Sequence, residues 1–346
     1  MSNSNSNLNT AKNVKNDEFY TLYVDIEKEV ESYIRHNPDV FRGKHVLLPC
    51  DDPEQSEFVH YFCTNFDRLG LVQLTSTSFS CDGYGKKFVK TREGSKHESL
   101  QTDGDFRSDE VTKLRDECDI IVTNPPFSLF RDFVQWSLSK QFLIMGSING
   151  VLYADIFPLI ISGKVRPGAS FGIGCVFNTP EGSRRKLGNI AWYTNMIHGR
   201  CNDVLQLHTM DENFRRFPRL RNTHVYMSYD NYDAIEIPHT YAIPSDYDGV
   251  MGVPVSWLGR YNSEQFEILA CTKRYQPAEA AYLKTRMYDR ALQHNNDGTT
   301  QCGGKINDNA AILLDAPPPK FPYYTSETVP GKFLISLYKR ILIRRK

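Results

Sequence analysis

Asn124, Pro125, Pro126 and Phe127 stand in a row at the end of an apolar run, and their types suit the grip of a flat, polar ring. The side-chain oxygen of Asn124 is an acceptor. The carbonyl of Pro125 is a second, with its direction fixed by the two prolines. Two acceptors aimed at one point can take both hydrogens of an amino group, and Phe127 adds a face for stacking. The plain alternative is a strand-ending turn, because Asn and Pro are common turn residues. At this level both readings stand.

The elements that must position these residues read as an open α/β sheet. Asp119 to Thr123 (DIIVT) is β-branched and apolar, as a strand buried on both faces should be, and neither proline can extend a strand ladder. Leu129, Phe130, Phe133, Val134 and Leu138 then recur at helical spacing over Ser128 to Leu138. The four residues therefore lie at the carboxyl end of a buried strand, where open α/β sheets bind ligands.

Upstream, His45 to Cys50 is a short apolar run, and Ser56 to Phe66 carries Phe58, Val59, Phe62 and Phe66 as a helix would. The loop between them, Cys50 to Gln55, lacks the glycines of the usual nucleotide loop. Leu71 to Phe79 reads as a second strand, with no acidic residue placed to grip a ribose. Ser80 to Leu100 reads as a solvated excursion. Asp105 and Phe106 follow in an Asp-Gly-Asp turn that lacks the further ligands of a calcium loop, so no metal site is assigned. A helix is expected over Ser108 to Cys118.

Before this core, Met1 to Asn13 is rich in Asn and Ser, and residues 1–16 read as a disordered tail. Leu22 to Ile34 has helical periodicity, with Thr21 as its expected cap. After the core, Phe142 to Gly146 reads as a strand and Tyr153 to Ile161 as a helix closed by Gly163. Phe171 to Phe177 and Asn189 to Thr194 read as strands, and the loop Asn178 to Gly188 carries Arg184, Arg185 and Lys186.

Lys plus Arg equals Asp plus Glu at 41 each, so attraction to nucleic acid must come from local patches. The eight cysteines form no CxxC pair, which points to reduced thiols rather than a zinc site or a disulfide framework. With no signal peptide and no long apolar span, the expected location is the cytoplasm.

Taken in order, DEFYT (17–21), VLLPCDDPEQSEF (46–58), DGDFRS (103–108) and DIIVTNPPFSLF (119–130) resemble the EcoRI-type adenine-N6 DNA methyltransferases. Asn-Pro-Pro-Phe resembles motif IV of the amino-group methyltransferases, usually NPPY, NPPF or DPPY. NIAWYTN (189–195), YDNYDAIEI (229–237), DYDGVMGVPVSWL (246–258), NSEQFEIL (262–269) and KRILIRR (339–345) match the family too. Little of Cys271 to Tyr338 does.

The resemblance implies a Rossmann-like methyltransferase fold, a mostly parallel sheet with helices on both faces, over residues 17–200. Residues 201–346 would be a recognition region, with 271–338 unassigned. It implies S-adenosylmethionine as cofactor and double-stranded DNA with a flipped adenine as substrate. The lone pair of an adenine amine is delocalised into the ring. Asn124 and Pro125 would draw that nitrogen toward a tetrahedral shape, while Phe127 stacks on the base. Asp105 and Phe106 would take the cofactor's adenine, Cys50, Asp51, Asp52 and Pro53 its middle, and Phe19, Tyr20 and Thr21 its methionine end. A monomer associated with the nucleoid is expected, and a cognate restriction endonuclease would act on the same site without binding this chain.

Asn202 to His224 concentrates Arg215, Arg216, Arg219 and Arg221 with Phe214 and Phe217 interleaved. These arginines, with Arg184, Arg185 and Lys186, are the expected DNA contacts. Their plain alternative is a surface of structural salt bridges. The rival functions are an RNA or glutamine methyltransferase using the same turn, and a DNA-binding homologue with a dead site.

Overall fold

In a computed structural model of the chain, residues 20–81, 83–173, 175–178, 184–187, 189–272 and 277–346 are described. Two compact units are present. The first comprises Met1–Val151 with Pro158–Cys201, the second Leu152–Phe157 with Asn202–Lys346. Among the described residues no helix is long and apolar enough to cross a membrane.

The first unit contains strands β1 (Tyr20–Thr21), β2 (His45–Leu48), β3 (Gln73–Ser78), β4 (Lys86–Thr91), β5 (Gly94–Ser99) and β6 (Ile120–Thr123). It continues with β7 (Gln141–Ser147), β8 (Arg166–Pro167), β9 (Cys175–Asn178), β10 (Arg184–Leu187) and β11 (Ile190–Thr194). Helices α1 (Tyr23–His36), α2 (Glu57–Thr64), α3 (Asp109–Glu117) and α4 (Phe130–Ser137) lie between them. The main sheet has the order β5-β4-β3-β2-β6-β7-β11-β8. Its centre, β3-β2-β6-β7, is parallel, and both margins pair antiparallel. Val46, Leu47, Leu48, Ile120, Ile121 and Val122 are all fully buried, which explains why these runs do not alternate.

Several local expectations change. Residues 80–100 hold a polar hairpin, β4–β5, that extends the sheet edge; β5 is wholly exposed, so no apolar pattern marks it. Thr21 does not cap α1. It pairs in β1 with Phe177, and its hydroxyl donates to Met145 Sδ in the core. The Arg184–Lys186 segment is strand β10, paired to β9, and not a loop. The helix expected from Tyr153 begins at Phe157, where Pro158, lacking an N–H, suits a first-turn position.

α4 follows the Asn-Pro-Pro turn after one 3-10 turn, Phe127–Leu129, and its first residue anchors it. Phe130 is buried against Tyr193, ring centroids 4.8 Å apart, over two glycines. A Cβ at Gly146 would lie 2.4 Å from the Phe130 ring, and one at Gly150 2.7 Å. Only bare backbone leaves room for that ring.

The second unit carries β12 (Ile235–Glu236), β13 (Met251–Pro254), β14 (Phe266–Cys271), β15 (Leu292–His294) and β16 (Thr300–Cys302). It adds β17 (Ala311–Leu314), β18 (Tyr323–Thr325), β19 (Phe333–Ser336) and β20 (Arg340–Arg345), with one labelled helix, α5 (Met210–Arg216). Two sheets result, β12-β13-β20-β14 and β16-β15-β18-β19-β17. The second of these occupies the stretch in which the sequence showed no family pattern. β20 is an interior strand, paired to β13 on one side and β14 on the other, with Ile341, Leu342 and Ile343 all buried. At its start Arg340 forms a buried two-point ion pair with Glu236, at 3.0 and 2.7 Å, and Tyr229 donates to the same carboxylate.

Two consequences can be measured. Gly146→Ala should cost about 1–3 kcal/mol by overpacking Phe130, seen as a lower urea midpoint; an unchanged midpoint would show that the ring has room to move. Arg340→Ala should cost about 3–5 kcal/mol by leaving Glu236 buried and uncompensated. Amide exchange in β13, β20 and β14 reports it, and native-like protection would contradict the assignment.

Candidate active site

The site lies where the strand order reverses. β2 has β3 on one side and β6 on the other, so the loops leaving β2 and β6 part from each other at their carboxyl ends. Between them is a cavity of about 620 Å³, lined among others by Thr21, Asp51, Ser78, Asp105, Phe106 and Asn124. Its size is in the range of small-molecule and cofactor sites.

Asp51 joins the two loops. It is 5% exposed; Ser56 Oγ donates to its Oδ1 at 2.7 Å and Thr123 Oγ1 to its Oδ2 at 2.6 Å. Thr123 ends β6 and immediately precedes Asn124. Ser56 caps α2, its oxygen accepting from Phe58 N. The Asp51 backbone is held in turn by the end of β3, its N–H donating to Thr77 O and its carbonyl accepting from Ser76 Oγ. Burial pushes its carboxyl up to about 6, against the hydroxyl bonds that lower it. Burial also raises the neighbouring Cys50 thiol well above its usual range, which argues against a thiolate nucleophile there. Asp52 is tied from outside by Lys86, which also reaches Glu54 at 2.8 Å.

The wall carrying Asp105 depends on close backbone approach. Gly104 has φ +85° and a Cβ there would lie 2.3 Å from Ser78 O, so glycine is required on both counts. Asp105 is gripped by Arg107 through Nε at 2.9 Å and Nη2 at 2.6 Å, and this hydrogen-bonded guanidinium holds the carboxyl below the usual range. Phe106 is 3% exposed and packs edge-on against Phe133 and Trp136 while still bordering the cavity.

Of the residues singled out in the sequence, Thr21, Cys50, Asp51, Asp52, Asp105, Phe106, Asn124 and Pro126 border this one cavity. Pro125 is buried and Phe127 packs, half-buried, against the main core. Pro53 does not line the cavity. Phe19 and the side chains of Tyr20, Arg184, Arg185 and Lys186 lie outside the described residues. Arg215, Arg216, Arg219 and Arg221 are exposed in the second unit. Sequence reasoning passed over Gln55, Ser56, Glu57, Phe58, Ser78 and Phe79, which also line the cavity. The signal for Ser56 was present, a serine just before an apolar helix; Ser78 and Phe79 were already the end of an expected strand.

The lining suits a molecule that joins a cationic centre to a purine. Asp51, Asp52, Glu57 and Asp105 supply carboxylates, and Phe58, Phe79 and Phe106 supply aromatic surface.

The family model described as adenine-specific methyltransferase EcoRI matches residues 7–96 and 85–314. The chain is 37% identical over 330 residues to the Type II methyltransferase M.EcoRI of Escherichia coli, covering 84% of this chain and 97% of that protein. It is 34% identical over 284 residues to the Type II methyltransferase M.MgeORF184P of Mycoplasma genitalium, covering 76% and 85%. To M.MpnI of Mycoplasma pneumoniae it is 33% identical over 308 residues, covering 84% and 92%. No solved structure matches the chain significantly.

Asp51 makes stability depend on pH in a definite direction. Its carboxyl titrates near 3.8 when unperturbed and at about 6 in the fold, so its stabilising contribution is complete below the lower value and is lost as pH rises through the upper one. Asp51→Asn has no charge to bury and should gain on the native protein, by up to roughly 1.5 kcal/mol, between about pH 5 and pH 8. Urea midpoints of both proteins at the two pH values test this; a constant difference would mean that Asp51 does not titrate in that window.

Proposed function

The chain belongs to the family of adenine-specific methyltransferases of the EcoRI type, and from that premise we propose that it methylates N6 of an adenine extruded from double-stranded DNA, with S-adenosylmethionine as the donor. The observation that carries this reading is that Asn124 borders the same cavity as Cys50, Asp51, Asp52, Asp105 and Phe106. Bound there, S-adenosylmethionine supplies a methyl group on an electrophilic sulfonium.

The chain's own residues do the rest. Phe106 and Asp105 receive the donor's adenine, by ring packing and by carboxylate acceptance. Asp51 and Asp52 face its cationic middle, and Thr21 borders the end that takes its methionine portion. Asn124 Oδ1 and the Pro125 carbonyl accept the two amine hydrogens of the target base, and Phe127 stacks against it. Extruding the base costs a few kcal/mol, which stacking and phosphate contacts must recover. Arg184, Arg185, Lys186, Arg215, Arg216, Arg219 and Arg221 are the cations proposed for those phosphates. We expect the protein to act as a monomer in the cytoplasm, on a site shared with a cognate nuclease.

The test supplies methyl-labelled S-adenosylmethionine and unmethylated genomic DNA to the purified protein, then maps modified bases by direct sequencing. N6-methyladenine at one short motif is the expected product. Asn124→Ala should lower the turnover rate roughly 100-fold or more, as loss of one hydrogen-bonding group at a reacting centre does. Label in RNA or protein alone would replace the reading with another methyl acceptor, and DNA binding without any label would make the chain an inactive homologue.

A further inference from the structure

The second unit holds a row of aromatic rings to which the reaction described above assigns no role. α5 starts with a capping box, Thr209 and Glu212 exchanging side-chain and backbone bonds, which fixes where the helix begins. From its buried side Asn213 donates to Tyr226 Oη at 2.9 Å and to Ala242 O at 3.4 Å, and Tyr226 donates to Ala242 O at 2.8 Å. Tyr226 does so from φ +65°, a conformation rare for a bulky residue, with its ring edge-on to Phe214. The short turn Thr240–Ala242 is thereby clamped to the helix.

That clamp presents three rings in a row. Phe217 and Tyr241 have centroids 4.3 Å apart, and Tyr241 stacks on His239 at 5.0 Å with planes 8° apart. His239 is the extended residue that precedes the 3-10 turn Thr240–Ala242, and its stacking on Tyr241 places the two rings together. Tyr241 is 46% exposed and His239 is also exposed. Among the described residues no further ring stacks on His239, so the series ends in an aromatic face open to solvent.

Around the ladder Arg215, Arg216, Arg219 and Arg221 are exposed, and none of them forms an ion pair among the described residues. The nearby carboxylates Glu212 and Asp246 instead bond backbone N–H groups at the start of α5. Salt bridging therefore does not account for the arginines. Exposed cations, of which Arg215 acts on the Glu212 carboxylate of the same helix, lie in a segment with a solvent-facing aromatic stack, and together they match the two halves of a nucleotide, phosphate and base.

We propose that His239, backed by Tyr241 and Phe217, is a stacking platform for an unstacked base of the substrate DNA, with the four arginines holding the adjoining phosphates. Base extrusion generates such a base, because removing the target leaves its partner unpaired. The inference rests on the methyltransferase reading for the choice of DNA as occupant.

The probes are a 20-nucleotide oligothymidine and an abasic strand of equal length, titrated into the full-length protein by fluorescence anisotropy. His239→Ala and Tyr241→Ala should weaken oligothymidine binding about tenfold and leave the abasic strand within about twofold. His239→Phe and Tyr241→Phe keep the stack and should bind oligothymidine like the native protein. Arg216→Ala should weaken both strands and lower the slope of log affinity against log salt by about 0.7. Aromatic variants that weaken both strands equally, or neither, would overturn the platform, as would failure of the Phe variants to retain binding. Labelled-methyl transfer to DNA by the native protein separates the two claims. Transfer without a base-dependent loss refutes the platform alone, and a base-dependent loss without transfer refutes the methyltransferase reading alone.

Discussion

One buried carboxylate ties the two halves of the candidate site's cavity together. Asp51 accepts from Ser56 at the start of α2 and from Thr123 at the end of β6, so the loop after one strand and the turn after another share an anchor. Hydroxyls are suitable partners for this. They satisfy both oxygens without a cation that would cancel the charge, and the carboxylate keeps its field in the cavity. The cost appears as a raised carboxyl pKa, the expected result of burying a charge that is hydrogen-bonded but not neutralised.

The rest of the site is arranged so that this anchor meets fixed surfaces. Phe130 sits on the backbone of Gly146 and Gly150 and pins the first turn of α4 to β7, which sets where the Asn-Pro-Pro turn must end. Gly104 lets its backbone approach the end of β3 and brings Asp105 to the cavity rim. In both places a missing side chain allows the contact. Rigid support of this kind matters for chemistry that depends on holding an amine at a defined angle, because misplacement directly reduces the fraction of reactive geometries.

The second unit is organised by a different buried pair. Glu236 and Arg340 join β12 to the start of β20, and Tyr229 completes the carboxylate's bonds. Close by in sequence, the segment from Thr209 to Ala242 directs its hydrogen bonds inward and leaves its arginines and rings outward. Four exposed arginines that form no ion pair among the described residues make this a locally cationic surface. The arrangement is therefore the reverse of an ordinary salt-bridged face.

Part of the cavity's lining was legible in the sequence alone. Apolar runs such as Ile120 to Val122 are buried on both faces, and their abrupt stop at two prolines marks the carboxyl end of a strand whatever the remaining chain does. Asn124 could be picked out because it follows a strand that stops at two prolines, whereas Asp51 was reached through the family resemblance and Asp105 through its Asp-Phe pair and that resemblance. Only tertiary structure decided that they border one cavity, that Arg107 engages Asp105, and that Thr21 faces Met145 rather than capping α1. The polar hairpin β4–β5 and the interior place of β20 were likewise hidden. Sheet edges and neighbours are set by backbone hydrogen bonds between distant segments, and those bonds leave no periodic trace in the residues that make them. The ladder of Phe217, Tyr241 and His239 is the same case. Its rings come from two separated segments, and a buried asparagine and a tyrosine hydroxyl bring them together.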